Sequence, residues 1–255
     1  ELMRTFDDPE ADIPSLARMI SYDQALAART LRAANSSFYR LESKGKTISQ
    51  AIMVLGFDTV RQLVSTGAIV NALPGRSASL EPARFWRHSM ATALCARNIA
   101  RRTRLNHEYA FLAGLLHDIG RMLLATRFPQ QYAEAVAWRD VHDAWQVDAE
   151  QAVLGIDHQQ VGMMLAEAWH FPPLIQRAIA HHHAPAVDDL GELASVVHVA
   201  NAIVHALDLC GNPDSAVPPV SQTAWASLRL DGDMLRAVFS ETEAQYEAAC
   251  EFLTP

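Results

Sequence analysis

The run Gly114-Leu115-Leu116-His117-Asp118-Ile119-Gly120 limits what this chain can fold into more than any other segment. Its apolar residues belong in a core, yet an imidazole and a carboxylate sit side by side among them. A buried carboxylate costs heavily unless it is paired, hydrogen-bonded or bound to a cation, so the fold must bring partners to this pair. The pattern predicts a helix through the run and on to Leu124. Adjacent helical side chains point about 100° apart, yet both can reach one cation where a second helix closes over the first. Imidazole with carboxylate suits iron, manganese or zinc. The alternative is a His–Asp hydrogen bond that orients two helices and binds nothing.

Further histidines occur in separate periodic stretches. His88 lies 29 residues before His117, in Phe85-Trp86-Arg87-His88-Ser89, and His158 follows 40 residues after Asp118, in Asp157-His158-Gln159-Gln160-Val161-Gly162. His181-His182-His183 then runs into Ala184-Pro185. Asp157 is a suitable N-cap, which places His158 in the first turn of its helix. His107 and His142 lie in polar surroundings and read as solvated. His170, His198 and His205 read as structural, the last two sharing one helical face.

Helix signals dominate the whole chain. Asp23 caps a stretch with Leu26, Ala27, Thr30, Leu31 and Ala34 at helical spacing, closed by Asn35-Ser36-Ser37. Thr47 and Gln50 form a capping box, Gly56 supplies a stop, and Asp58 opens a helix reaching Ala72. Pro74-Gly75-Arg76-Ser77 marks a lobe boundary, and Glu81-Pro82 starts the next helix. Phe128-Pro129 opens a helix towards Trp145, Leu193 to Leu207 is strongly apolar, and a Pro/Asp/Ser linker from Cys210 to Pro219 precedes two amphipathic helices. The expected class is all-α: an N-terminal helical lobe, residues 1–76, packed on a second helical lobe, residues 77–210, with a linker and C-terminal helices over 211–255. Trp86, Trp138, Trp145, Trp169 and Trp225 read as core or lobe-interface aromatics.

Charge excludes one class of function. The formal net charge is −8, whereas phosphate-backbone binding relies on clustered cations. The densest cluster, Arg97, Arg101, Arg102 and Arg104, reads as a solvated helix end, where cations meet the negative end of the helix dipole. No nucleic-acid partner is expected. No apolar run approaches the roughly 18 residues needed to span a bilayer, and no basic-then-apolar leader is present. Cys95, Cys210 and Cys250 show no metal-type or redox spacing and fit reduced thiols. These features predict a cytoplasmic protein. The first residue is Glu1 and not Met, which raises the expectation of a natural start further upstream.

The order single His, His-Asp, single His, His-His resembles the HD superfamily of metal-dependent phosphohydrolases. Ser21 to Arg29, Ala34 to Tyr39, Ile48 to Ile52, Leu55-Gly56, Arg121, Trp169-His170-Phe171-Pro172 and His182-His183-Ala184-Pro185 narrow the likeness. Over residues 10 to 210 the chain resembles the HDOD domain, the HD-related output domain of bacterial signalling proteins. The resemblance implies His88, His117, Asp118, His158, His182 and His183 as candidate metal ligands, with Asp118 as the bridge, although His181 could shift into the His-His role. Asn201 stands where the superfamily carries a further Asp, which removes one negative charge from the site. Arg121 replaces the Lys of the related cyclic-di-GMP-cleaving HD-GYP enzymes and keeps a phosphate-gripping cation. Arg84 stands where some of them use a Glu ligand, and their Gly-Tyr-Pro segment is missing.

Two functions follow from the resemblance. One is a non-catalytic signalling output or adaptor module acting through protein contacts, with partners from cyclic-di-GMP or two-component systems. Its histidine pocket then either holds iron, manganese or zinc or is a remnant of mutually hydrogen-bonded side chains. The other is a metal-dependent phosphohydrolase acting on a nucleotide or cyclic dinucleotide, with Asp118 and Arg121 in the catalytic roles.

Overall fold

The computed structural model describes residues 13–21, 48–55, 60, 79–169, 171–185, 192–211 and 216–253. The helix after Asp23, the Asn35–Ser37 turn, the Thr47 and Gly56 caps, the helix from Asp58 apart from Val60, the Pro74–Ser77 boundary and His170 lie outside these residues. Every regular element among the described residues is a helix, and none is long and apolar enough to cross a membrane.

The chain divides into two compact units, Glu1–Pro74 with Ala248–Pro255, and Gly75–Glu247. In the first, α1 (Ile13–Ser21) packs on α2 (Ile48–Leu55). Leu16 and Ile20, one helical turn apart on α1, are buried there with Ala51 and Ile52 of α2.

The second unit runs α3 (Pro82–Thr103), α4 (His107–Leu116), α5 (Ile119–Arg127), α6 (Pro129–His142), α7 (Gln146–Leu154), α8 (His158–Ala168), α9 (Pro173–His181), α10 (Glu192–Ala206), α11 (Gln222–Leu228) and, as far as Glu247, α12 (Gly232–Leu253). Helices α4 and α10 pack on α3, α10 also meets α4, and α9 packs on α4, α8 and α10. The core between them holds Ala93, Ile99, Leu115, Leu116, Ile179, Val196 and Val199. Pro82, Pro129 and Pro173 stand in the first turns of their helices, where a missing N–H costs nothing. Asp157 caps α8, its carboxylate accepting from the Gln160 N–H at 2.9 Å.

Two glycines set the closest crossings. A Cβ on Gly114 would lie 2.9 Å from Ala93 Cα, and one on Gly120 would lie 2.0 Å from the His158 carbonyl oxygen. Only hydrogen at these positions lets α4 approach α3 and α5 approach α8, and the second approach carries His158 over Asp118.

The arginine cluster differs from its sequence reading. Arg97 is buried, with Nη2 donating to Gln245 Oε1 at 3.2 Å and the guanidinium 5.2 Å from the centre of the Phe111 ring. Arg102 pairs with Glu241 at 2.6 Å, and Asn98 donates to Thr242 Oγ1 at 3.1 Å. One face of the cluster therefore clasps α12, leaving Arg101 and Arg104 exposed.

Candidate metal centre

His117 and Asp118 occupy a break between α4, which ends at Leu116, and α5, which begins at Ile119. The continuous helix expected through the run does not form. Asp118 has φ −99° and ψ 9°, and its carbonyl accepts from the Arg121 N–H at 2.9 Å in a tight turn. Gly120, pressed against the His158 carbonyl, fixes where α5 can restart. The break turns Asp118 onto the wall of a cleft of about 920 Å³ in the second unit, with His117 buried beside it.

Around Asp118 the ligand-type atoms fall into two groups, each within 4.8 Å: Asp118 with His158, His182 and His183, and Asp118 with His88 and His117. His158 Nε2 lies 3.4 Å and His182 Nε2 3.5 Å from Asp118 Oδ1, while His117 Nε2 lies 3.7 Å from Oδ2. One carboxylate thus faces both groups, one oxygen to each. His183 Nε2 is 3.0 Å from His158 Nε2. His181 is exposed at the end of α9 and belongs to neither group.

The orientation of three rings is set from behind. His117 Nδ1 lies 2.7 Å from the Gly114 carbonyl, His182 Nδ1 2.8 Å from that of Ile179, and His158 Nδ1 2.6 Å from Glu150 Oε2. A carbonyl only accepts, so His117 and His182 carry hydrogen on Nδ1, and in the neutral tautomer Nε2 is then the acceptor. Those two Nε2 atoms, and Asn201 Oδ1 on the cleft wall, are buried with no hydrogen-bond partner among the described residues. A buried unsatisfied polar atom costs about 1–3 kcal/mol. A cation would answer these acceptors, and Nδ1-anchored imidazoles are the usual arrangement behind metal-ligating histidines. The donor set therefore fits iron, manganese or zinc.

Burial would raise the Asp118 carboxyl, but the interactions with its neighbours, His117 and the Arg121 guanidinium foremost, hold it well below the usual range. Burial pushes His117 down to about 4 and His88 and His183 well down, so these rings are neutral and free to ligate. His158 alone is raised: burial lowers it, and Glu150 more than reverses that. Arg121 Nη1 donates to Asp118 Oδ2 at 2.9 Å.

Glu150 is the residue that sequence reasoning missed. It is fully buried, accepts from both the ring and the backbone N–H of His158 at 2.6 and 2.8 Å, and accepts from Gln146 at 3.1 Å. His198 is buried and satisfied at both nitrogens, donating to the His182 carbonyl at 2.8 Å and accepting from the Ser221 N–H at 2.9 Å. It tethers the turn that carries His182 and His183. His205, half-buried, lays its ring 4.8 Å from that of His88 and lines the cleft. His142 is exposed and stacks on Trp138.

A family model described as HDOD domain matches residues 1–185. The structure resembles that of an HDOD domain protein of unknown function from Geobacter sulfurreducens, 26% identical, with TM-score 0.83 over 99% of this chain and 90% of the other. It also resembles a candidate phosphohydrolase from Shewanella amazonensis SB2B, 27% identical, with TM-score 0.72 over 96% and 91%. A third resemblance is to the MmoQ response regulator from Methylococcus capsulatus, 25% identical, with TM-score 0.52 over 92% and 96%. An uncharacterized protein of Treponema pallidum is 24% identical over 212 residues, 82% of this chain, which spans 41% of that relative's length.

Proposed function

The chain belongs to the HDOD domain family, and on that premise we propose that it is a bacterial signalling output module whose His/Asp centre holds one transition-metal ion. It acts through protein contacts and does not turn over a substrate. The observation that carries this reading is the set of histidines whose Nδ1 atoms are anchored while their Nε2 atoms converge on Asp118. A remnant pocket of mutually bonded histidines would leave no reason for buried lone pairs on His117 and His182. Asp118, His158, His182 and His183 would hold the ion, and binding would tie the α4–α5 break to α8 and to the turn after α9. Iron, manganese and zinc all suit three imidazoles and a carboxylate.

Charge argues against hydrolysis. Two divalent ions about 3.5–4 Å apart need bridging oxygens and several negative ligands. The two ligand groups share a single carboxylate, Asp118, whose Oδ2 already carries the Arg121 guanidinium. The likeness to a response regulator supports partners among signalling proteins, those of two-component or cyclic-di-GMP systems being the expectation, in the cytoplasm.

A phosphohydrolase is the second reading. It is favoured by the His88–His117–Asp118 group beside the first and by the cleft, whose walls include Arg84, Arg121 and Arg139. Elemental analysis of protein purified anaerobically without chelator, beside Asp118→Ala, separates the two readings when combined with assays on cyclic dinucleotides and bis(p-nitrophenyl) phosphate. One equivalent of metal, lost in the variant, with no turnover supports the output module. Two equivalents with turnover that the variant lacks would establish the enzyme, and no stoichiometric metal would overturn the metal centre.

A further inference from the structure

We propose that Glu150 is the second carboxylate of the metal centre, supplying through His158 the negative charge that the ligand set itself lacks. The inference rests on the metal-centre reading above and concerns a residue that touches no ion. A divalent cation at Asp118, His158, His182 and His183 meets one formal negative charge among these ligands. Asn201, whose Oδ1 is buried on the same cleft wall without a partner, adds a dipole but no charge. Among ligands as deeply buried as Asp118, His158 and His182, an excess positive charge is costly.

Glu150 lies one imidazole away. Its Oε2 is 2.6 Å from His158 Nδ1 and 2.8 Å from the His158 backbone nitrogen, and Oε1 accepts from Gln146 at 3.1 Å. No arginine or lysine donates to it among these contacts; the Arg121 guanidinium feels its charge at longer range, but its direct hydrogen bonds run to His158 and Gln146. A carboxylate on Nδ1 makes the opposite nitrogen a stronger donor and fixes the ring's aim. That nitrogen is the one 3.4 Å from Asp118 and 3.0 Å from His183. Burial of Glu150 at 0% exposure keeps water from screening it. Glu150 is a positioning residue with a charge role, and the two parts of that role can be separated by experiment.

The test measures zinc affinity of the intact chain by competition with a chromogenic chelator, alongside the thermal midpoint of the metal-free protein. Wild type must first bind zinc; if it does not, the metal-centre reading fails and Glu150 has nothing to support. Glu150→Gln keeps the shape and an acceptor but removes the charge, and it is expected to weaken zinc binding by about 10–100-fold. Asn201→Asp added to Glu150→Gln restores a charge at the cleft wall, and most of the lost affinity should return. A purely structural Glu150 would show no such rescue. Should Glu150→Gln fail to fold, Glu150→Asp takes its place: the shorter acid withdraws its charge from His158, zinc binding should weaken by about 10-fold, and Asn201→Asp should restore most of it. Wild-type affinity in the Glu150 variant, or no recovery when Asn201→Asp is added to it, would each overturn the inference while leaving the metal centre standing.

Discussion

Arg121 and the histidines His158 and His182 hold opposite oxygens of one carboxylate: Nη1 of Arg121 lies 2.9 Å from Asp118 Oδ2, while His158 and His182 face Oδ1. A fixed cation thus sits on one side of Asp118 and the proposed ion site on the other. In metal-free protein Arg121→Gln leaves a buried carboxylate short of its counter-charge. Breaking a fully buried pair costs more, but the guanidinium is 26% exposed, so a loss of about 2 kcal/mol is expected in urea unfolding at pH 7. Zinc should recover part of that loss by taking over the charge. Equal stability of variant and wild type, with and without zinc, would contradict this role.

Gly120→Ala tests the crossing of α5 and α8. The added methyl would sit 2.0 Å from the His158 carbonyl and 2.8 Å from Gly162 N, both backbone atoms that cannot swing aside. Helix α8 must retreat and take His158 with it. The expected cost is about 3 kcal/mol or more, with zinc affinity falling in parallel. Gly155→Ala is the comparator, because it meets nothing within 4 Å and pays only for its φ of +69°. It should lose about 1 kcal/mol and keep its affinity.

The arginine cluster should divide by face. Arg97→Ala removes a buried guanidinium that meets Gln245 and Phe111, and is expected to cost about 2–3 kcal/mol. Arg101→Ala, on the exposed side of α3, should stay within about 0.5 kcal/mol. Neither should alter retention on duplex DNA in a filter-binding assay. Salt-sensitive retention lost in Arg101→Ala would restore the nucleic-acid reading that the net charge of −8 argued against.

Cys95 is buried on α3, and burial pushes its thiol from 9.0 up to about 12. Only the thiolate is nucleophilic, so iodoacetamide at pH 8 should leave Cys95 unmodified in folded protein and label it once urea unfolds the chain. Because the folded value is the raised one, the contribution to stability is complete below pH 9 and declines as pH rises towards 12. Mass spectrometry of the tryptic peptide reads the first effect. Rapid labelling in native buffer would show that the packing of α3 is wrong.

The histidines of the centre were legible because chemistry-bearing residue types stand at separated positions in helical stretches, and the fold brings His88, His117, Asp118, His158, His182 and His183 into two groups sharing Asp118. The break at His117–Asp118 was not legible. An apolar run bounded by glycines reads as one helix, and what interrupts it is the approach of His158 from 38 residues away, a tertiary effect on Gly120. Glu150 was invisible for a related reason. It looks like any acid on an amphipathic helix, and only the turn between α7 and α8 folds it back onto His158. Arg97 was misread because a cluster of arginines at a helix end carries no sign of which face α12 will cover.

Asn201 separates a pocket built for a cation from one built for itself. Its Oδ1 is buried without a partner, as are His117 Nε2 and His182 Nε2. If the polar cluster were a self-sufficient network, replacing a member by an apolar residue of similar volume would break bonds and destabilise the protein. If the cluster is a set of acceptors awaiting a positive ion, Asn201→Leu removes an unsatisfied oxygen instead. Metal-free Asn201→Leu should then be as stable as wild type or gain about 1 kcal/mol. Its zinc-induced stabilisation should be smaller than the roughly 2.7 kcal/mol expected of wild type at a hundredfold excess of zinc over Kd. Urea unfolding of both proteins, with and without zinc, gives all four numbers. A metal-free variant weaker than wild type by more than about 1 kcal/mol, with the zinc effect unchanged, would assign Asn201 to the scaffold and not to the centre.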